Sequence, residues 1–149
     1  MDRLGSRLGL SRVRRLLPRE SWWPENAVEP APALSGPSPG AKGAAPWPAD
    51  RARPLRLLPR PEPIETMALL PDHPPRWILW RGLRRHVQCA DGPERIFGEW
   101  WKRDAEAQAV RDYFRIEDEA GERYWVFRAG DGENIETGSH RWFLHGVFG

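Results

Sequence analysis

From Arg111 to Asp118 the chain alternates, with Asp112, Phe114 and Ile116 on one side and Arg111, Tyr113 and Arg115 on the other. A period of two marks a strand. After Glu119-Ala120-Gly121, the run Arg123-Tyr124-Trp125-Val126-Phe127-Arg128 supplies a partner, so the pattern predicts a β-hairpin with Gly121 in its turn. Upstream, Leu55 to Leu58 is a short extended piece between Pro54 and Pro59, and Ile64 to Leu70 reads as a strand closed by Pro71-Asp72-His73-Pro74-Pro75. Arg76 to Arg81 is the next strand, Gly82 bends the chain, and Leu83 to Ala90 follows. Asp91-Gly92-Pro93 reads as a turn, with Pro93 opening a short helical turn through Ile96 and Phe97. A polar loop from Gly130 to Asn134 precedes a last strand, His140 to Phe148. Strands this close in sequence pair antiparallel. The expected fold is mainly β, a small antiparallel sheet or partly open barrel.

The first half of the chain has another texture. Leu4, Leu8, Leu10, Val13, Leu16 and Leu17 fit one helical face, which predicts a short helical segment over 1–17, weakened by Gly5 and Gly9. Residues 18–52 are rich in Pro, Ala and Gly, which predicts a disordered linker, with Trp22-Trp23-Pro24 as an isolated aromatic spot. Residues 53–149 form the expected Trp-rich β domain, preceded by this tail. Charge divides near the same place: residues 1–61 carry net +6 and residues 62–149 net −4. The basic balance therefore belongs to the tail, and the acidic domain is a poor match for phosphate.

Candidate chemistry is sparse. One cysteine, Cys89, excludes an internal disulfide and a multi-cysteine zinc site, and reads as a half-buried structural thiol. His140 and His145, five apart, face opposite sides of a strand and cannot share a metal. Glu117, Asp118 and Glu119 read as a solvated hairpin end. No cofactor motif and no catalytic set is present. No apolar run approaches the ~20 residues of a membrane span, and the reading is cytoplasmic. Nine tryptophans suit a small domain that must bury area with few residues; Phe114, Ile116, Trp125, Trp142 and Leu144 are the expected core. In the strand at 76–81, Ile78 and Trp80 share one face while Trp77 and Leu79 make the second face apolar too. Trp77, Leu79, Trp100 and Trp101 are therefore the interaction candidates. Arg84 and Arg85, among aromatics, are the candidates for an alternative function, binding of single-stranded nucleic acid.

Several motifs in order resemble the C-terminal region of ImuB-type proteins, relatives of Y-family translesion DNA polymerases. They are Arg53-Pro54-Leu55-Arg56-Leu57-Leu58-Pro59-Arg60-Pro61-Glu62-Pro63-Ile64-Glu65, Ala90 to Ile96, Glu99-Trp100-Trp101, Arg111 to Asp118 and Arg141 to Phe148. Arg14 to Ser21 and Pro24-Glu25 resemble the segment after the family's little-finger domain. The family has polar residues where Trp77 and Leu79 stand, and its histidine lies one place before His86. The palm, fingers and little finger are not in this chain, so the polymerase carboxylates have no counterpart, and no Gln-Leu-x-Leu-Phe-type clamp peptide occurs. The resemblance implies a non-catalytic adaptor module in error-prone DNA repair. Its implied partners are an accessory mutasome protein and a DnaE-type error-prone polymerase, with DNA met indirectly.

Overall fold

A computed structural model describes residues 2–34, 52–68, 73–99 and 109–149. The chain divides into two units, Met1–Arg51 and Ala52–Gly149. In the first, helix α1 spans only Asp2–Leu8. The helix expected through residue 17 stops there because Gly9 turns out of the helical region, with φ 82°. Arg14–Pro18 is instead strand β1, paired antiparallel with β2, Val28–Pro32, from Arg14 opposite Pro32 to Pro18 opposite Val28. Part of the segment expected to be a linker without structure is thus a hairpin. Its prolines are compatible with pairing because each strand of a two-stranded sheet has one free edge. Leu17, Trp23 and Ala27 are buried, whereas Trp22 is exposed. Residues 35–51 of the expected linker lie outside the described residues.

The second unit is a closed barrel of six sequential antiparallel strands: β3 (Arg56–Met67), β4 (Trp77–Trp80), β5 (Leu83–Phe97), β6 (Val110–Asp118), β7 (Arg123–Ala129) and β8 (Trp142–Val147). Closure comes from β8 pairing with β3, Ile64 opposite Trp142 and Leu57 opposite Gly146, across an irregularity between Leu57 and Glu62. The extended piece at 55–58 and the strand expected from Ile64 thus belong to one β3. The β4–β5 turn is two residues, Arg81 and Gly82, both left-handed (φ 51° and 78°), the geometry that matches strand twist in a tight hairpin. Arg81 is held in that unfavourable conformation by Glu62, which accepts from its Nη2 at 2.7 Å and Nε at 3.0 Å.

The helical turn expected at 93–97 is absent. β5 runs on through Phe97, and the Asp91-Gly92-Pro93 signal marks a bulge, with the register shifting between Asp91 and Glu94. Gly92 (φ 135°) lies so close to β6 that an added Cβ would sit 2.7 Å from the Tyr113 carbonyl oxygen.

Both faces of β6 and β7 are buried, which alternation alone does not reveal. The interior is filled by Leu58, Ile64, Ile78, Phe114, Ile116, Tyr124, Val126, Trp142 and Leu144. A second cluster on the outer side joins Ile96, Tyr113, Trp125, Phe127 and Phe148. Arg53 anchors the entry segment over this cluster: its guanidinium stacks on Trp125 at 4.9 Å and makes two 2.6 Å bonds to Glu94.

Candidate interaction surface

Polar groups inside the barrel are spent on structure. Asp112 is fully buried, and cross-strand register sets Arg95 and Arg128 on either side of it. Arg95 donates to its two oxygens at 2.7 and 3.0 Å, and Arg128 donates at 2.9 Å. The result is a three-strand ion triad among apolar neighbours. Asp118, expected at a solvated end, is buried; it accepts from Arg85 at 3.0 Å and from the turn amides of Ala120 and Glu122 at 2.9 Å each. His145 is buried and shares a 2.8 Å hydrogen bond with the Tyr113 hydroxyl. Cys89 is exposed rather than half-buried, because it pairs opposite Glu117 on the outer side of the barrel next to a register shift. It borders a groove of about 290 Å³ with Asp91, Arg115, Glu117 and Arg123, in which Arg115 is paired to Asp91. No cluster of three or more metal-ligating side chains occurs among the described residues.

The proposed core positions Phe114, Ile116, Trp125, Trp142 and Leu144 are all buried, Trp125 in the outer cluster and the rest inside the barrel. Trp100 and Trp101 lie outside the described residues. On β4, Ile78 is fully buried and Trp80 packs against the interior, its indole N–H donating to Glu62 at 2.7 Å. Trp77 and Leu79 point the other way and are half-buried. The two nucleic-acid candidates part company: Arg85 is tied to Asp118, while exposed Arg84 lays its guanidinium over the Trp77 ring at 4.3 Å. Sequence reading missed the Asp112 triad and the Glu62 clasp on Trp80 and Arg81. The alternation of β6 placed Asp112 beside Phe114 and Ile116, and a carboxylate on a core face was the available signal.

The carboxyls of Glu62 and Asp131 both titrate low. The Arg81 hydrogen bonds, then that of Trp80, hold Glu62 below the usual carboxylate range. Asp131 is lowered mainly by the Asn134 amide, with Glu133 N–H and the Thr137 hydroxyl adding to it. Burial raises the Tyr124 phenol.

A closed meander barrel with Trp77 and Leu79 half-buried on its outer side defines the class by fold, and by sequence the chain is similar to the C-terminal region of ImuB. The particular relative is Protein ImuB of Caulobacter vibrioides (strain NA1000 / CB15N), 45% identical over 157 residues that take in 100% of this chain and 32% of the relative. Protein ImuB of strain ATCC 19089 / CIP 103742 / CB 15 matches to the same extent. The chain thus spans about a third of the length of the curated relatives it matches. No family model and no solved structure matches it. No helix among the described residues is long and apolar enough to cross a membrane.

Proposed function

We propose that this chain is a non-catalytic protein-interaction module of an error-prone translesion synthesis complex, acting in DNA repair after damage. The observation that carries the reading is the similarity of the whole chain to the C-terminal part of ImuB. The partners are an accessory mutasome protein and a DnaE-type polymerase, with DNA met through them. The interface includes Trp77 and Leu79, whose outward, half-buried placement gives the barrel an apolar face where a sheet facing water is ordinarily polar. The test is capture of the two purified partners by the immobilised full chain. The double variant Trp77→Arg with Leu79→Arg should lower capture while circular dichroism stays native. Failure of the unaltered chain to bind either partner rejects the reading, as does primer extension that survives removal of contaminating polymerase.

A second reading, binding of single-stranded nucleic acid, is favoured by one observation: exposed Arg84 stacked on an aromatic ring. A gel shift with single-stranded DNA that weakens steeply with salt would select it.

A further inference from the structure

Cross-strand register lays out six outward side chains on β3, β4 and β5 as two rows. Met67, Trp77 and His86 form one row; Glu65, Leu79 and Arg84 form the other. Met67, His86, Glu65 and Arg84 are exposed, so the half-buried Trp77 and Leu79 form an apolar strip with open flanks. Two donors on this face lack acceptors. The neighbouring arginines each have a carboxylate, Arg81 with Glu62 and Arg85 with Asp118, but Arg84 has no ion pair among the described residues. Its guanidinium rests on the Trp77 ring instead. The indole Nε1 of Trp77 is shielded from solvent and has no hydrogen-bond partner. Of the two, the exposed Arg84 guanidinium is open to a ligand, and beside Leu79 and Met67 it calls for acceptor oxygens next to an apolar group.

We infer that this face docks an acidic segment of a partner polypeptide, which sets a carboxylate against Arg84 and an apolar side chain on Leu79 and Met67. The inference rests on the interaction reading above and names the chemistry of its partner. A nucleic-acid strand fits less well, since its repeating phosphates would find Arg84 as the one arginine among these six side chains. The test measures affinity of the full chain for the two purified partners against ionic strength. Arg84→Glu should weaken binding at low salt by about tenfold or more and remove most of its salt dependence. Arg84→Lys should retain binding to within about threefold. Leu79→Ser, which removes the apolar contact beside Arg84, should cost roughly threefold to tenfold. Thermal midpoints of the three variants serve as the folding control. Tight, salt-insensitive binding by Arg84→Glu would overturn the inference and leave the interaction reading standing. Absence of binding by the unaltered chain removes both. Binding of a fluorescein-labelled oligo(dT) that Arg84→Glu abolishes would overturn it in favour of a nucleic-acid strand.

Discussion

Asp112 shows how one side chain ties three strands. Its carboxylate is fully buried and accepts from arginines on both neighbouring strands, so its removal takes a counter-charge from the nearly buried Arg128 guanidinium. Asp112→Ala should cost about 3–5 kcal/mol in urea unfolding, and an unchanged midpoint would show the triad to be energetically idle. Trp142→Ala, which empties space between Phe114 and the β3–β8 seam, should also cost about 3–5 kcal/mol by the same measurement. Glu62 makes a pH prediction. Its folded pKa lies below its ordinary value of 4.5, so the stability it contributes is complete above about that pH and is lost as pH falls through the depressed value. On acidification, the thermal midpoint of the natural protein should fall more steeply than that of Glu62→Gln, and the two should converge at low pH.

At the scale of elements, the bulge in β5 sets the demands. Gly92→Ala would combine a φ of 135° with a Cβ 2.7 Å from a backbone oxygen and should cost about 2 kcal/mol or more. Gly82→Ala meets nothing within 4 Å and should cost about 1 kcal/mol, for its left-handed φ alone. Chemical denaturation of the pair separates crowding from backbone strain. The β6–β7 hairpin was legible because alternation and its turn agree: Asp112 to Glu117 pair with Arg128 to Arg123 as the period demands. The continuation of β5 was not, since Asp91-Gly92-Pro93 carries the same local signal whether the chain reverses or bulges, and only the β6 partner decides. The hairpin β1–β2 was hidden by proline content, which argues against inner strands and not against edges. Nor could alternation reveal the outer cluster: Tyr113 and Trp125 lie on a face that looks wet until Arg53 and Phe148 are placed upon it. For the proposed interaction face, strand alternation singled out Trp77 and Leu79 as candidates; the stacking of Arg84 and the pairing of Arg85 required the fold.

For the whole molecule, all six barrel strands and the seam that closes them fall within Ala52–Gly149. That fragment should unfold in one cooperative transition by itself, with coincident near-ultraviolet and far-ultraviolet profiles; a sloping, probe-dependent melt would show that the barrel needs the preceding residues. Because β8 returns to β3, every barrel strand has a neighbour on both sides over part of its length, and on β4 Trp77 to Leu79 are paired on both sides. Whatever binds at Trp77 and Leu79 must therefore be read by side chains. Main-chain pairing is largely indifferent to sequence and ties recognition to the fold, whereas a side-chain face can be rewritten one codon at a time over an unchanged backbone. If the proposed face docks the partner, substitutions at Trp77, Leu79 and Arg84 would retune partner choice while the barrel beneath them stayed the same.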